Sequence, residues 1–547
     1  MAEDIGARIG DGRKPFTTQG EWWIPESDIK VGGTLSYADG RIRLSLVGLL
    51  EETPDPFSDE PIPVVFGMTS DGIEVTLCDC RYLDWQSAET HGKSDLLVGT
   101  IFIGAHLPQG VDSKFEQVGY SFSGLTAWAT LGAVADHEVQ DGRMVLKPTQ
   151  GHGVEAAIPV GQVVLNFGLM ETGTTRYVHL DRTSSALMML RTPMTGDEIF
   201  SAVTRPLQQF LTFVCDKPAY LLDLTYRSSE FKRTSFGNSW PQLITCIHSG
   251  DVAHGDEEVR EYEMLLPLSA IRDTAAEILE RWFEIWSQVS LAMDLLFGTL
   301  LGPQTYTETR FLLLAQAAET YAGLRFPDAQ RMNLDQKARR ARVLDAIKLD
   351  PADHAWLKEA LSYVHEPTFA EKLHYLVRYA GYEVHEKIRP GFEESVKHTR
   401  NFFTHYDPKV KTKAVTELPD LYRLAEEVIV LLQFCLMHDL GFESNQAWLE
   451  FRKTFRGRAL PDQPVTPDFN LWPPIVEEEA VPGNETKDMV SLPPGELLDG
   501  DQDTTEGPED DLPVDSADIV PVVGTDEAIA EQVTQPLWRR LLRRSRR

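Results

Sequence analysis

The sequence predicts a multidomain α+β protein: a mostly antiparallel, sandwich-like or barrel-like β domain, then an α-helical bundle, then a disordered acidic tail. Three observations carry this reading. From Trp22 to about Ser228, apolar residues alternate in short runs broken by Gly, Pro and Asp, the pattern of half-buried strands. Beyond about Glu258 the apolar spacing changes to three and four residues, the period of helices packed on one face. After Arg456 the periodicity is lost and Pro, Gly, Asp, Glu and Thr dominate, a composition that buries too little apolar surface to offset chain entropy.

Taken in order, residues 1–18 read as a flexible leader and 19–250 as the β-rich domain. Gly33–Leu46 reads as two alternating strands around Asp39-Gly40, the strongest short-range hairpin signal. Further strands are expected at Val64–Met68, Ile73–Leu77, Leu97–Ile103, Gln117–Phe122, Arg143–Leu146, Val163–Leu169, Tyr220–Leu224 and Leu243–Ile247. A helix is expected over Asp197–Val214, with Pro206 as a point of kinking. Residues 251–304 read as a helical linker region, with helices over Thr274–Trp286 and Ser290–Leu301.

Residues 305–455 read as the bundle. Its first helix, Thr307–Phe326, carries the stripe Phe311, Leu314, Ala318 and Tyr321. Lys337–Leu349, Ala355–Val364, Thr368–Ala380, Phe392–Tyr406 and Leu418–Leu440 follow, the last stopped by Gly441. Residues 456–547 complete the chain as the acidic tail with a basic end.

At 547 residues the chain is too long for one core, and about three domains are expected. Its 42% hydrophobic and 25% charged residues are those of a soluble globular protein. The N-terminus lacks the basic and apolar regions of a secretory signal. The most apolar runs, Leu291–Leu301 and Val428–Leu436, are shorter than the roughly 20 residues that span a bilayer. A cytoplasmic protein without membrane contact follows, its five cysteines reduced. Cys78-Asp79-Cys80 has no second pair to complete a zinc site, and His365-Glu366 and His385-Glu386 lack a second histidine four residues on. Neither metal nor cofactor is expected.

A net charge of −32 argues against a general nucleic-acid coat protein. From Glu477 to Glu531 eighteen acids face Lys487 alone, and six arginines close the chain between Arg539 and Arg547. Any basic surface for RNA must therefore be local. Arg339, Arg340 and Arg342, flanked by Lys337 and Lys348, form the best such patch; its other reading is a solvated helix face.

Arg400, Asn401 and His405 lie in one short segment stopped by Pro408. Cutting RNA without a metal requires a proton taken from the ribose 2′-hydroxyl and one given to the leaving 5′-oxygen, work suited to histidine. The phosphorane gathers negative charge that a guanidinium fork binds, and an adjacent amide can orient either group. At about 100° per residue, positions 400 and 405 lie about 140° apart around a regular helix. Either the helix ends or distorts before Asp407-Pro408, or the working site combines two chains, as a symmetric dimer would. A second arginine–histidine pair, Arg378 and His385, straddles Gly381 and has Tyr379 where the first has an amide.

Arg400-Asn401-x-x-Thr404-His405, late in a helical bundle, resembles the Arg-x4–6-His motif of HEPN-domain ribonucleases. Gly20-Glu21-Trp22-Trp23-Ile24-Pro25-Glu26, followed by Gly33-Thr34-Leu35 and later by Gly124-Leu125-Thr126-Ala127-Trp128, is similar to the ApeA N-terminal domain of bacterial abortive-infection proteins. The resemblance covers most of the chain up to about residue 455. It implies a HEPN-type bundle and a metal-independent endoribonuclease, acting as a homodimer, that leaves 2′,3′-cyclic phosphate and 5′-hydroxyl ends. It further implies cleavage of host RNA once a phage-derived trigger is sensed, with Arg400 and His405 catalytic and Asn401 supporting. The N-terminal domain carries no evident catalytic residue and reads as the sensor. The acidic tail has no counterpart in the family.

Two other classes compete. In a non-catalytic HEPN scaffold, Arg400 and His405 would serve the bundle itself. A carbohydrate-directed protein would use Trp22 and Trp23, but no carboxylate pair supports glycoside hydrolysis, and both tryptophans read better as packing residues.

Overall fold

The computed structural model describes residues 14–462 apart from 52–59, 87–91, 130–134, 141–142, 149–152, 175–176, 236–237, 252–258, 303–305, 330–333, 347–349 and 361–365. The acidic tail beyond residue 462, its arginine-rich end, and residues 1–13 of the expected leader lie outside the described residues.

β1 (Phe16–Trp23), β2 (Val31–Ala38), β3 (Arg41–Leu46), β4 (Ile62–Thr69), β5 (Glu74–Gln86) and β6 (Lys93–Val98) form a closed barrel in the order β5-β4-β1-β2-β3-β6, with β6 returning to β5. All its pairings are antiparallel. Of the sandwich and the barrel-like sheet that the sequence left open, this part of the domain is the barrel. Both architectures alternate inward and outward side chains along each strand, so periodicity does not separate them. Closure is decided by β5: its residues pair with β4 from Glu74 to Cys80 and with β6 from Arg81 to Gln86. Just before the changeover Asp79 adopts φ 54°, an irregularity of the kind that bends a strand.

The expected hairpin is present. Asp39 and Gly40 take φ 49° and 71°, left-handed at both positions as a type I′ turn requires, and Ala38 pairs with Arg41. Trp22 fills the barrel and is wholly buried. A Cβ on Gly67 would meet its ring at 2.2 Å, so glycine at 67 is what admits the indole.

Past β5 the sheet continues through β7 (Thr100–Ile103), which pairs on the half of β5 that β6 leaves free. β8 (Lys114–Phe122), β11 (Val154–Ile158), β12 (Gly161–Thr174), β13 (Tyr177–Thr195), β14 (Leu221–Arg227) and β17 (Ile244–His248) complete it, in the order β7-β17-β14-β8-β13-β12-β11. Two hairpins stand apart, β9 (Ala135–Gln140) with β10 (Arg143–Pro148) and β15 (Lys232–Ser235) with β16 (Asn238–Pro241).

The helix expected over Asp197–Val214 begins at a capping box between Thr195 and Glu198, passes through a π turn at Phe200–Thr204 and continues as α1 (Arg205–Cys215). Pro206 has no N–H to give and its ring crowds the preceding turn; the wider π turn, closed by Arg205 N–H on Phe200, takes up the misfit. The two helices expected from 274 to 301 are one, α2 (Ala275–Leu301), kinked where Val289 departs to φ −122° and ψ 20°.

The barrel has its own core. A second core runs without interruption from the outer strands through α2 into the bundle. Trp128, in the turn that follows left-handed Gly124, packs against Phe210, Phe210 against Trp282, and Trp282 against Phe297. Both of these indoles are satisfied: Trp128 Nε1 donates to the Leu266 carbonyl at 2.8 Å and Trp282 Nε1 to that of Pro206 at 2.9 Å.

The bundle comprises α3 (Thr307–Arg325), α4 (Leu334–Ala346), α5 (Pro351–Ala360), α6 (Phe369–Ala380), α7 (Phe392–His405), α8 (Leu418–Asp439) and α9 (Ser444–Phe451). The stripe Phe311, Leu314, Ala318 and Tyr321 on α3 is buried. α8 is buried on all sides from Leu424 to Met437, which marks it as the central helix. It ends at Gly441, left-handed with φ 92°. Two of its glutamates are held by arginines. Glu427 accepts from Arg389 at 2.8 Å and Arg423 at 3.1 Å, and Glu426 pairs with Arg310 at 2.6 Å and with Arg456. Arg456 also reaches Asp216 at 3.3 Å, so one guanidinium ties the end of α1 in the β-rich half to the middle of the bundle.

Candidate functional site

α7 carries the candidate residues. Phe392, Val396 and Thr399 form its buried face, at the four- and three-residue spacing of a helix laid on a core. Glu393 and Glu394 in its first turn and His405 in its last oppose the helix dipole. Tyr406 ends it in the left-handed region, φ 51° and ψ 34°, its N–H donating to the Phe402 carbonyl at 2.6 Å. Asp407 then caps a short turn, Pro408–Lys411, by accepting from Lys409 N–H at 2.9 Å. The loop is drawn back to α7 by Val415, whose N–H donates to Thr399 Oγ1 at 2.9 Å. That buried hydroxyl precedes Arg400.

Arg400 lies where α3, α6 and α7 meet. Its Nη2 pairs with Glu319 Oε2 at 3.1 Å, its Nη1 donates to Asn401 Oδ1 at 3.3 Å, and its guanidinium lies 5.6 Å from the Phe369 ring centroid. Lys372 of α6 approaches the same Glu319 at 3.6 Å. Arg400 keeps 29% of its side chain exposed, enough for solvent or an anion to reach it. Arg400 and Asn401 are thus brought together. His405 is exposed at the helix end, and no hydrogen bond joins it to Arg400 among the described residues. α7 is helical through His405 and ends there, before Asp407-Pro408; up to that end it is regular, so within one chain the two side chains diverge by about 140°.

The second arginine–histidine pair is divided as Gly381 foretold, for Gly381 adopts φ 100° and ends α6. Arg378 is exposed on α6, whereas His385 lies half-buried in the following 3-10 turn. His385 belongs to a different cluster, with His374 and Glu393, which stand 3.3 Å apart. Burial, aided by repulsion from His374 and opposed by Glu393, pushes the His385 imidazole below its ordinary pKa. Burial acts to raise Glu393, yet its bond to His374 and the nearby His385 hold the carboxyl below its ordinary value. A group whose folded pKa is depressed contributes stability that is present above its unfolded pKa and lost as pH falls. For His385 that loss begins below about pH 6.5. The melting temperature of wild type should therefore drop on acidification from about pH 7 to pH 5, and His385→Gln should flatten that drop. An equally steep drop in the variant would show that His385 does not carry it.

Arg339, Arg340 and Arg342 sit on α4. Arg339 and Arg342 are exposed, while Arg340 is half-buried with its Nε lacking a partner among the described residues. No hydrogen bond or ion pair joins any of the three to Arg400 or His405 among the described residues. All five cysteines are buried and none is in a disulfide, and burial next to Asp79 pushes the Cys78 thiol up to about 12. Within the described residues no helix is long and apolar enough to cross a membrane.

Sequence reasoning missed Glu319, Lys372 and Phe369, which define the surroundings of Arg400 from two other helices. No local signal marks them. It also passed over Lys409, Lys411 and Lys413, although their alternation directly after His405-Tyr406-Asp407-Pro408 is visible in the chain.

Residues 17–282 match the family model of the ApeA N-terminal domain 1, and residues 312–446 match that of the Apea-like HEPN domain. The first match ends within α2, and the second contains Arg400, Asn401 and His405. No curated protein and no solved structure matches the chain.

Proposed function

Since the chain carries an ApeA N-terminal domain 1 followed by an Apea-like HEPN domain, a domain typical of ribonuclease toxins in defence systems, we propose that it is a cytoplasmic anti-phage abortive-infection effector. In this reading the HEPN domain is a metal-independent endoribonuclease. It cleaves host RNA, transfer RNA among the candidates, when the N-terminal domain senses a phage-derived trigger. One observation carries the proposal: Arg400, Asn401 and His405 lie on a single helix inside the HEPN match, with the guanidinium and amide joined and the imidazole open to substrate.

Each group has a defined task. His405 moves protons between solvent and the reacting ribose and leaving oxygens. Arg400 exchanges Glu319 for the phosphate and stabilises the charge that gathers on the phosphorane. Asn401 holds the guanidinium in plane. The products are 2′,3′-cyclic phosphate and 5′-hydroxyl ends. Arg339, Arg340 and Arg342 guide the RNA from α4.

The 140° divergence supports a site shared by two protomers, with Arg400 from one and His405 from the other. Purified wild type is expected to cut RNA in the presence of a chelator. Activity abolished by the chelator and restored by a divalent metal would contradict the mechanism. Arg400→Ala and His405→Ala, each inactive alone, should on mixing recover about a quarter of wild-type activity. Half of the dimers are then mixed, and each mixed dimer holds one intact site out of two. A mixture that stays inactive after subunit exchange would place the whole site in one chain.

One observation favours a second reading, a non-catalytic scaffold: Arg400 is already engaged by Glu319 and Phe369. In that case Arg400→Ala lowers stability and leaves RNA untouched.

A further inference from the structure

Directly after His405 the chain does something costly. Tyr406 occupies the left-handed region, φ 51°, at a helix end where glycine is the usual occupant, and bulky residues adopt that conformation only against steric strain. The strain does not serve burial, for Tyr406 is 69% exposed. Its ring is steadied by an edge-on approach to the Phe402 ring at 5.9 Å between centroids. The next residues add charge. Lys409, Lys411 and Lys413 are all exposed, and none has an ion pair among the described residues. In a chain of net charge −32, acidic partners are easily found. Lys217, Lys372, Lys387, Lys397 and Lys453 all have one.

The loop bearing these lysines is fixed at both ends. Asp407 caps its turn, and Val415 is tied to Thr399 beside Arg400. An exposed, pre-positioned aromatic ring next to a row of unpaired cations is the combination that binds single-stranded nucleic acid: the ring stacks a base and the cations follow the phosphates.

We infer that Tyr406 is a base-stacking platform and that Lys409, Lys411 and Lys413 form the phosphate rail beside it, together binding single-stranded RNA next to His405. The inference rests on the ribonuclease reading for its substrate, and its test separates the two.

The probe is a fluorescein-labelled, 2′-O-methylated oligoribonucleotide of about twelve nucleotides. Lacking free 2′-hydroxyls, it reports binding by full-length protein whether or not the protein cuts RNA. Tyr406→Gly should keep a melting temperature no lower than wild type, because glycine accepts the left-handed conformation without strain. It should nonetheless bind the probe about 5- to 150-fold more weakly, the range for loss of one stacked base. Tyr406→Phe should bind as wild type does. Replacing the three lysines by Gln should reduce the slope of log affinity against log salt by about 2, at roughly 0.7 per lost phosphate contact on a single strand. Arg339→Ala with Arg340→Ala provides the comparison, and a smaller change in slope is expected there.

Three results would overturn the inference: unchanged binding by Tyr406→Gly, equally weak binding by Tyr406→Phe, or duplex RNA bound as tightly as single strand. If wild type cuts unmodified RNA while these variants bind and cut as it does, the ribonuclease reading stands and the inference falls. If binding depends on Tyr406 while unmodified RNA stays intact, the inference stands and the ribonuclease reading falls.

Discussion

Arg400→Ala and His405→Ala should each lower RNA cleavage by about 10²- to 10⁴-fold, the range for loss of a general acid–base or of a group aimed at developing charge. Cells expressing wild type, Arg400→Ala or His405→Ala would be followed for growth and RNA integrity, with and without phage. Identical behaviour of all three under a confirmed trigger would sink the ribonuclease assignment. Stability changes are not expected to mimic the result. His405 is exposed and holds no bond that its loss would break among the described residues. The Arg400–Glu319 pair is partly exposed, and such pairs contribute only about 0–1 kcal/mol. Loss of activity with a retained fold is thus the expected signature.

The largest stability effect is expected at Asp439, the last residue of α8. It is 4% exposed and accepts from Arg325 Nε at 2.9 Å, as well as from the hydroxyls of Tyr321 and Tyr379. Arg325 in turn donates to Tyr379 at 2.7 Å. Burial, with Asp439 adjacent, raises both phenols above their ordinary range, so they remain protonated donors at neutral pH. One carboxylate thereby joins α3, α6 and α8. Asp439→Ala would leave a guanidinium and two phenols without their acceptor, at a cost of about 3 kcal/mol. Asp439→Asn keeps one acceptor oxygen and should cost less. Urea denaturation measures both, and equal midpoints for Asp439→Ala and wild type would refute the role given to this network.

The helical half was largely legible because its signals are local. The stripe Phe311, Leu314, Ala318 and Tyr321 has one period, Gly441 stops α8 as glycine does, and Thr368, with Glu371 three residues on, caps α6. The helix expected over Ala355–Val364 starts earlier, at Pro351, and is described as far as Ala360; the expected residues after that fall outside the described ones. Proline belongs at a first helical position, a signal available at Pro351 and not used. The Asp39-Gly40 hairpin was equally plain, since only left-handed central residues make that turn without splaying the strands.

Closure of the barrel was not legible, nor were the surroundings of Arg400. Alternation states that a strand has two faces and not which strand lies across from it. β5 meets β6 because of its length and its bend at Asp79, a consequence of pairings spread over the whole domain. Glu319 meets Arg400 across 81 positions, and a contact of that span leaves no trace in either local pattern.

The arginine, amide and histidine, their spacing and their place before the last long helix were determined by the sequence alone. What only the tertiary structure decided is how they stand. Arg400 is drawn to Glu319 and Phe369 on neighbouring helices, while His405 is turned outward. The reason is geometric: a regular helix gives two positions five residues apart different neighbours, and packing alone determines what those neighbours are.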